Sequence, residues 1–164
     1  MPLGQESLCY IGCMLLDSQL VPQTLVRPRS FVGLMALYES NYLRLLQLVP
    51  ELERLDGCFR SRVAGDCELF VEILERCRYT ITMSLTYQFE SADGIIADPD
   101  MKIRAYLDGR LAEAMSLGGD HRHAEIRRLI RKNRRELDAR WRRNVIFNKW
   151  LEYLSDQGHL ILER

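Results

Sequence analysis

Tyr79-Thr80-Ile81-Thr82-Met83-Ser84-Leu85-Thr86-Tyr87-Gln88-Phe89 alternates without a break. Tyr79, Ile81, Met83, Leu85, Tyr87 and Phe89 are large and apolar or aromatic, and Thr80, Thr82, Ser84, Thr86 and Gln88 between them are polar. A strand sends successive side chains to opposite faces, whereas a helix would scatter the same pattern around its circumference. The stretch predicts a central antiparallel strand with one face buried and a hydroxyl-rich face turned to water.

Working outward, four more strands are expected at short spacing. Cys58–Val63 meets Cys67–Leu74 across Ala64, Gly65 and Asp66. A bend near Glu75–Cys77 leads into the central strand, Arg78–Glu90. A loop containing Asp93, Gly94, Asp98 and Pro99 precedes Met101–Leu107, and Asp108-Gly109 turns the chain into Arg110–Leu117. Aspartate and glycine tolerate the positive φ that a tight hairpin demands. A two-residue loop at Asp108 and Gly109 sets Leu107 against Arg110 and Arg104 against Glu113, an opposite-charge pair that helps fix the register. Short links between successive strands give an antiparallel meander.

Helices flank the strands. Ser30 reads as an N-cap, and Leu34, Met35, Tyr38, Tyr42, Leu45 and Val49 form one stripe that Pro50 ends. Beyond Gly118-Gly119, residues 122–133 predict a charged helix and Glu136–Asp156 a longer one, capped by Gly158. His159–Leu162 is read as a short edge strand. The expected architecture is α+β: a five-stranded antiparallel meander with an N-terminal helix and a C-terminal helix pair on one face. Residues 1–30, with Pro2, Pro22 and Pro28, read as a loosely ordered arm, and residues 31–164 as a single domain.

Composition narrows the class. A chain of 164 residues that is 47% apolar can bury a core without metal or disulfide staples. Cys9, Cys13, Cys58, Cys67 and Cys77 are odd in number and include no C-x-x-C pair, which argues for reduced thiols and a cytoplasmic setting. The apolar run Leu8–Leu16 is too short to span a bilayer, so no membrane association is expected. Charge is segregated. Residues 122–143 hold ten Lys/Arg against three acids, an excess of +7, while the remainder has 13 basic and 20 acidic residues and carries −7.

The first helix, Tyr38-Glu39-x-Asn41-Tyr42-x-x-Leu45, the strand start Arg78-Tyr79-Thr80, the hairpin Arg104-x-Tyr106-x-Asp108 with Ala112-Glu113, and Asn144 followed by Trp150-Leu151 resemble the YqiB-like family. These are uncharacterised proteobacterial proteins grouped as a domain of unknown function. The resemblance runs from about Leu34 to His159. It implies this fold and a cytoplasmic location, and no activity. Where the family often carries an acidic-acidic-basic triplet, this chain has Asp138-Ala139-Arg140.

Candidate functional residues fall into two sets. Arg78, Arg104, Tyr106, Asp108 and Glu113 form a candidate surface or pocket on the polar sheet face, where arginines can line an anion-binding concavity or simply lie in solvent. Arg127, Arg128, Arg131, Arg134 and Arg135 are candidate anion or nucleic-acid contacts, since basic helices neutralise phosphates, though a solvated or protein-docked face explains them equally. His121-x-His123 lacks further ligands for a metal, and neither a G-x-S-x-G nucleophile nor a Gly-rich phosphate loop occurs. No cofactor is expected. His159 stands apart near the chain end, and a Ser-His-Asp relay is not expected from so few histidines.

The leading expectation is a non-enzymatic binding or adaptor domain, acting through an unknown protein partner or self-association. The alternatives are nucleic-acid association through residues 122–143, and a small hydrolase or isomerase in which Arg104, Tyr106 and Asp108 converge in one pocket.

Overall fold

The computed structural model describes residues 29–91, 94–118 and 136–162. Helix α1 spans Phe31–Leu48, followed by strands β1 (Cys58–Ser61), β2 (Leu69–Arg76), β3 (Thr80–Ser91), β4 (Gly94–Tyr106) and β5 (Leu111–Gly118). Helix α2, Glu136–Gln157, closes the chain. The strands form one antiparallel sheet in the order β1-β2-β3-β4-β5, so the meander and the α+β class expected from the alternation are what the chain adopts.

The alternation of β3 is obeyed where it matters. Ile81, Met83, Leu85 and Tyr87 are buried in one core with Leu69 and Val71 of β2, Met101, Ile103 and Ala105 of β4, and Ala112 and Ala114 of β5. Tyr42, Leu45 and Leu48 of α1 and Phe147, Trp150, Leu151 and Leu154 of α2 cover that face. Burying each of the large aliphatic and aromatic side chains among these contributes roughly 1.5–3 kcal/mol, so this layer carries the fold. Tyr79 departs from the pattern. It sits outside β3, in the tight link from β2 that Cys77 N closes by donating to Thr80 O, and is half-exposed.

Other boundaries also differ from the sequence reading. β1 stops at Ser61 and β2 starts at Leu69, because the backbone N–H of Cys67 is engaged by the Asp66 side chain in a turn rather than in a ladder. β4 begins at Gly94, not Met101, with Gln88, Phe89, Glu90 and Ser91 paired to Ala97, Ile96, Ile95 and Gly94. The turn-forming Asp98 and Pro99, joined by a cis bond, lie in an irregularity between the Thr86 and Gln88 pairings, where a proline without an N–H interrupts no ladder bond. The last hairpin keeps the expected register, Arg104 opposite Glu113, but its loop runs over the four residues 107–110, with Arg110 at φ 51°. His159–Leu162 is not an edge strand, since Ile161 N donates to the Leu48 carbonyl of α1. The expected helix over 122–133 lies outside the described residues.

Side chains from both helices close the β5 edge. Asn144 Oδ1 of α2 accepts from Ala114 N (2.9 Å) and from Asn41 Nδ2 of α1 (3.1 Å). Asn41 Nδ2 also reaches Ala112 O (3.3 Å), and Arg143 Nε reaches Ala114 O (3.4 Å). Asn148 Nδ2 donates to Asn41 Oδ1 (2.9 Å), and Asn144 Nδ2 to Arg140 O (2.9 Å). An unpaired sheet edge invites intermolecular pairing. Here these side chains satisfy the Ala112 carbonyl and the N–H and carbonyl of Ala114, and knit α1, α2 and β5 together.

The N-terminus of α1 and the C-terminus of α2 follow their sequence signals. Ser30 Oγ accepts from Gly33 N at 3.1 Å. Gly158, at φ 87°, supplies the left-handed residue after α2, with Gly158 N donating to Ser155 O and His159 N to Leu154 O. This paired motif turns the chain back onto the sheet and delivers His159 to the interior.

Candidate functional site

Opposite the core, the polar face of the sheet carries a charged row set by strand register. Glu75 of β2 pairs with Thr82 of β3, Thr82 with Arg104 of β4, and Arg104 with Glu113 of β5. The row exists because β2 shifts register between Ile73 and Glu75, which moves Glu75 into line with the even positions of β3. Arg104 Nε donates to Thr82 Oγ1 at 3.2 Å, and its Nη2 lies 3.7 Å from Glu75 Oε2. Thr82 is accordingly buried, as is Thr86, whose hydroxyl donates to the Tyr87 carbonyl. The expectation of a uniformly solvated threonine face is corrected at these two positions: neighbouring long side chains and local backbone bonds cover them.

At the β5 end of the row two hydroxyls clamp one carboxylate. Tyr106 donates to Glu113 Oε1 (2.7 Å), and Tyr38, reaching from α1, donates to Glu113 Oε2 (2.9 Å). Burial, then the bond to Glu113 and its charge, pushes Tyr38 up to about 12, with Arg140 opposing. The same causes raise Tyr106, with Arg104 opposing. Both phenols therefore remain protonated donors at neutral pH, not bases or nucleophiles. Replacing Tyr106 by Phe removes one bond to a charged acceptor and is expected to lower stability by about 1–2 kcal/mol in urea unfolding.

Of the five candidate residues on this surface, three meet: Arg104, Tyr106 and Glu113. Arg78 is exposed, with its guanidinium 5.0 Å from the centre of its neighbour Tyr79's ring. Asp108 is exposed in the hairpin loop, where its Oδ1 accepts from Gly109 N at 2.8 Å. It acts as a turn residue and does not complete a pocket with Arg104 and Tyr106. Arg127, Arg128, Arg131, Arg134 and Arg135 lie outside the described residues, as do His121 and His123. Sequence reasoning missed Tyr38 and Arg140 as members of this cluster; the helical stripe showed Tyr38 only as a core residue.

A second polar cluster was also missed. Asp66 Oδ2 accepts from Tyr87 OH (2.8 Å) and from His159 Nε2 (3.1 Å), and Asp66 Oδ1 from Cys67 N (2.8 Å) and Tyr153 OH (3.1 Å). The Asp66 side chain is 1% exposed and that of His159 0%. Burial alone would raise Asp66, but the four donors outweigh it and hold the carboxyl below its ordinary range. An ionised carboxylate only accepts, so the proton between the two lies on Nε2. In the neutral ring Nδ1 then accepts from Ser61 Oγ, 3.0 Å away, while Ser61 Oγ accepts from Leu160 N at 3.3 Å. Serine, histidine and aspartate thus stand in a relay order, but the serine oxygen is tied to the backbone behind it and the imidazole is closed from solvent. The arrangement fastens the C-terminal segment to β1 and β3. Tyr87 held the available signal: a phenol on the buried face of a strand needs a polar partner.

A family model described as Protein of unknown function (DUF1249) matches residues 44–160, from the middle of α1 to the histidine of this cluster. The chain belongs to the DUF1249 family. The DUF1249 match spans the whole sheet and α2, and so contains Arg104, Tyr106, Glu113, Asp66 and His159, whereas Tyr38 precedes it. No curated protein and no solved structure matches the chain. Among the described residues, no helix is long and apolar enough to cross a membrane.

Proposed function

We propose that this DUF1249 protein is a non-enzymatic binding domain that recognises a partner protein through the polar face of its sheet. The observation that carries this reading is the row Glu75–Thr82–Arg104–Glu113. Register and hydrogen bonds hold an arginine at the centre of an open sheet face, with its side chain still one-third exposed. An immobilised, largely desolvated arginine loses little further freedom on binding, and such residues dominate interface energetics. Lys102, Asp100 and Ser116 lie exposed beside it on the same strands and offer a polar rim. The protonated phenols around Glu113 suit recognition better than proton transfer.

The finer assignment to the YqiB-like branch, with its proteobacterial origin and cytoplasmic location, belongs to the same reading. It is supported by the motif matches at Arg78–Thr80, Arg104–Asp108 and Asn144, and by the free thiols Cys58 and Cys77. The test is affinity capture of the full chain from its native lysate beside an Arg104→Glu variant of equal thermal stability. A stoichiometric partner retained by the wild type and lost with the variant supports the reading. A partner retained equally by both, or none with either, overturns it.

A further inference from the structure

The two edges of the sheet are treated differently. Asparagines close β5, whereas among the described residues no strand or side chain pairs with the outer edge of β1. The bond from Ile73 N to Gly57 O makes that pair a hydrogen-bonded one. Antiparallel pairs alternate, so Phe59 and Ser61 bond to β2, while the N–H and C=O of Cys58 and Arg60 point away from it. Among the described residues, no backbone or side-chain hydrogen bond falls on these four outward groups.

A groove of about 750 Å³ runs along this edge. Its walls include Arg60, which shares the polar face with Phe70 and Thr86, and Phe59, which faces the core beside Val71. A concavity lined from both faces of one strand follows that strand's free edge. Arg54 and Arg62 add positive charge, and Ile161 and the half-exposed Leu162 supply apolar surface from the C-terminal segment. The carboxylates on the walls are Asp56 and Glu68; Arg54 lies 3.7 Å from Glu51, and Glu68 is engaged by Arg62 at 2.7 Å. The Arg62 side chain is 74% exposed, so that pair is cheap to exchange for another carboxylate.

We infer that β1 is a docking edge for an extended peptide segment of another protein, with acidic side chains alternating with apolar ones. The segment pairs its backbone with Cys58 and Arg60, sets its carboxylates against Arg54, Arg60 and Arg62, and lays its apolar residues between Phe59 and Leu162. A second copy of this chain fits poorly, because two β1 edges brought together would oppose the same arginines. This deepens the binding-domain reading by naming a partner's chemistry, and it rests on that reading only in taking the chain to act through protein contacts. The surface is separate from the Arg104 row.

The experiment titrates the full chain with a fluorescein-labelled seven-residue peptide of alternating glutamate and valine, beside its lysine–valine counterpart. Saturable binding of the acidic peptide alone is expected, weakening as salt is raised. The amide protons of Cys58 and Arg60 should become protected from exchange. Arg60→Gln removes a charge and keeps the donor. Arg60→Pro also removes the outward N–H, which an edge strand tolerates, and should bind more weakly still, about tenfold below wild type. Arg62→Glu, on an exposed side chain, keeps the test open should the proline variant unfold, with a similar loss expected. No binding, equal binding of the lysine peptide, or insensitivity to Arg62→Glu overturns the inference. So does concentration-dependent dimerisation that protects Cys58 and Arg60, which would make the occupant a second copy. Peptide binding with no Arg104-dependent partner would sink the sheet-face proposal alone, and the converse would sink this one alone.

Discussion

Asn144→Ala is expected to destabilise the protein by about 3–5 kcal/mol and to lower Tm by roughly 10 °C. The Asn144 side chain is fully buried, and its one carbonyl oxygen serves both Ala114 N and Asn41 Nδ2, while its amide holds the Arg140 carbonyl. Truncation leaves a cavity and strips Ala114 N–H of its acceptor at a site water does not reach. Each buried polar group left unmet costs about 1–3 kcal/mol, and the lost volume adds to that. The β5 edge would also open, so aggregation during refolding should increase. Urea unfolding of the variant checks the magnitude. A loss below about 1 kcal/mol would mean that apolar packing of α1 and α2, not the amide network, holds the helices to the sheet.

The second large effect concerns Asp66. Asp66→Ala deprives His159, Tyr87, Tyr153 and Cys67 N–H of a common acceptor inside the fold, and a loss of about 3–5 kcal/mol is expected. The wild type should show a matching pH dependence. Asp66 is held below the ordinary carboxylate range in the folded state, so the unfolded chain takes up this proton first as acid is added. Its contribution is complete above the unfolded value of about 3.9 and declines as pH falls through the lower folded value. Asp66→Asn, which has no carboxyl to titrate, should lose this component of the acid dependence. Unfolding free energies measured from pH 6 to 2 decide it, and curves of identical slope for the two proteins would refute the assignment.

These two networks mark the boundary of what the chain's local pattern reveals. The alternation over Ile81–Tyr87 and the turn chemistry of Asp108-Gly109 were sufficient for the meander, because both act between near neighbours. The same hairpin placed Arg104 opposite Glu113 even though its loop proved wider than two residues. The register shift between Ile73 and Glu75 left no local mark, so Glu75 could not be placed beside Thr82 and Arg104. Asp98 and Pro99 misled for a related reason: residues that suit turns also suit interruptions of a ladder, and only the pairing of Gln88 with Ala97 distinguishes the two. His159 and Asp66 lie 93 positions apart and are joined by tertiary packing alone. The asparagines of α2 were hidden differently. Asn144 and Asn148 interrupt an apolar stripe, which reads as weakened amphipathicity until β5 is placed against them.

The proposed recognition surface is the open sheet face with Arg104 at its centre. Photo-cross-linking in living cells from Lys102, exposed beside Arg104 on β4, tests this most directly. One discrete adduct of defined mass is expected, with its yield at least tenfold lower when Arg104→Glu is added to a protein of unchanged thermal stability. Absence of any adduct from Lys102, or an adduct indifferent to Arg104→Glu, would contradict the account.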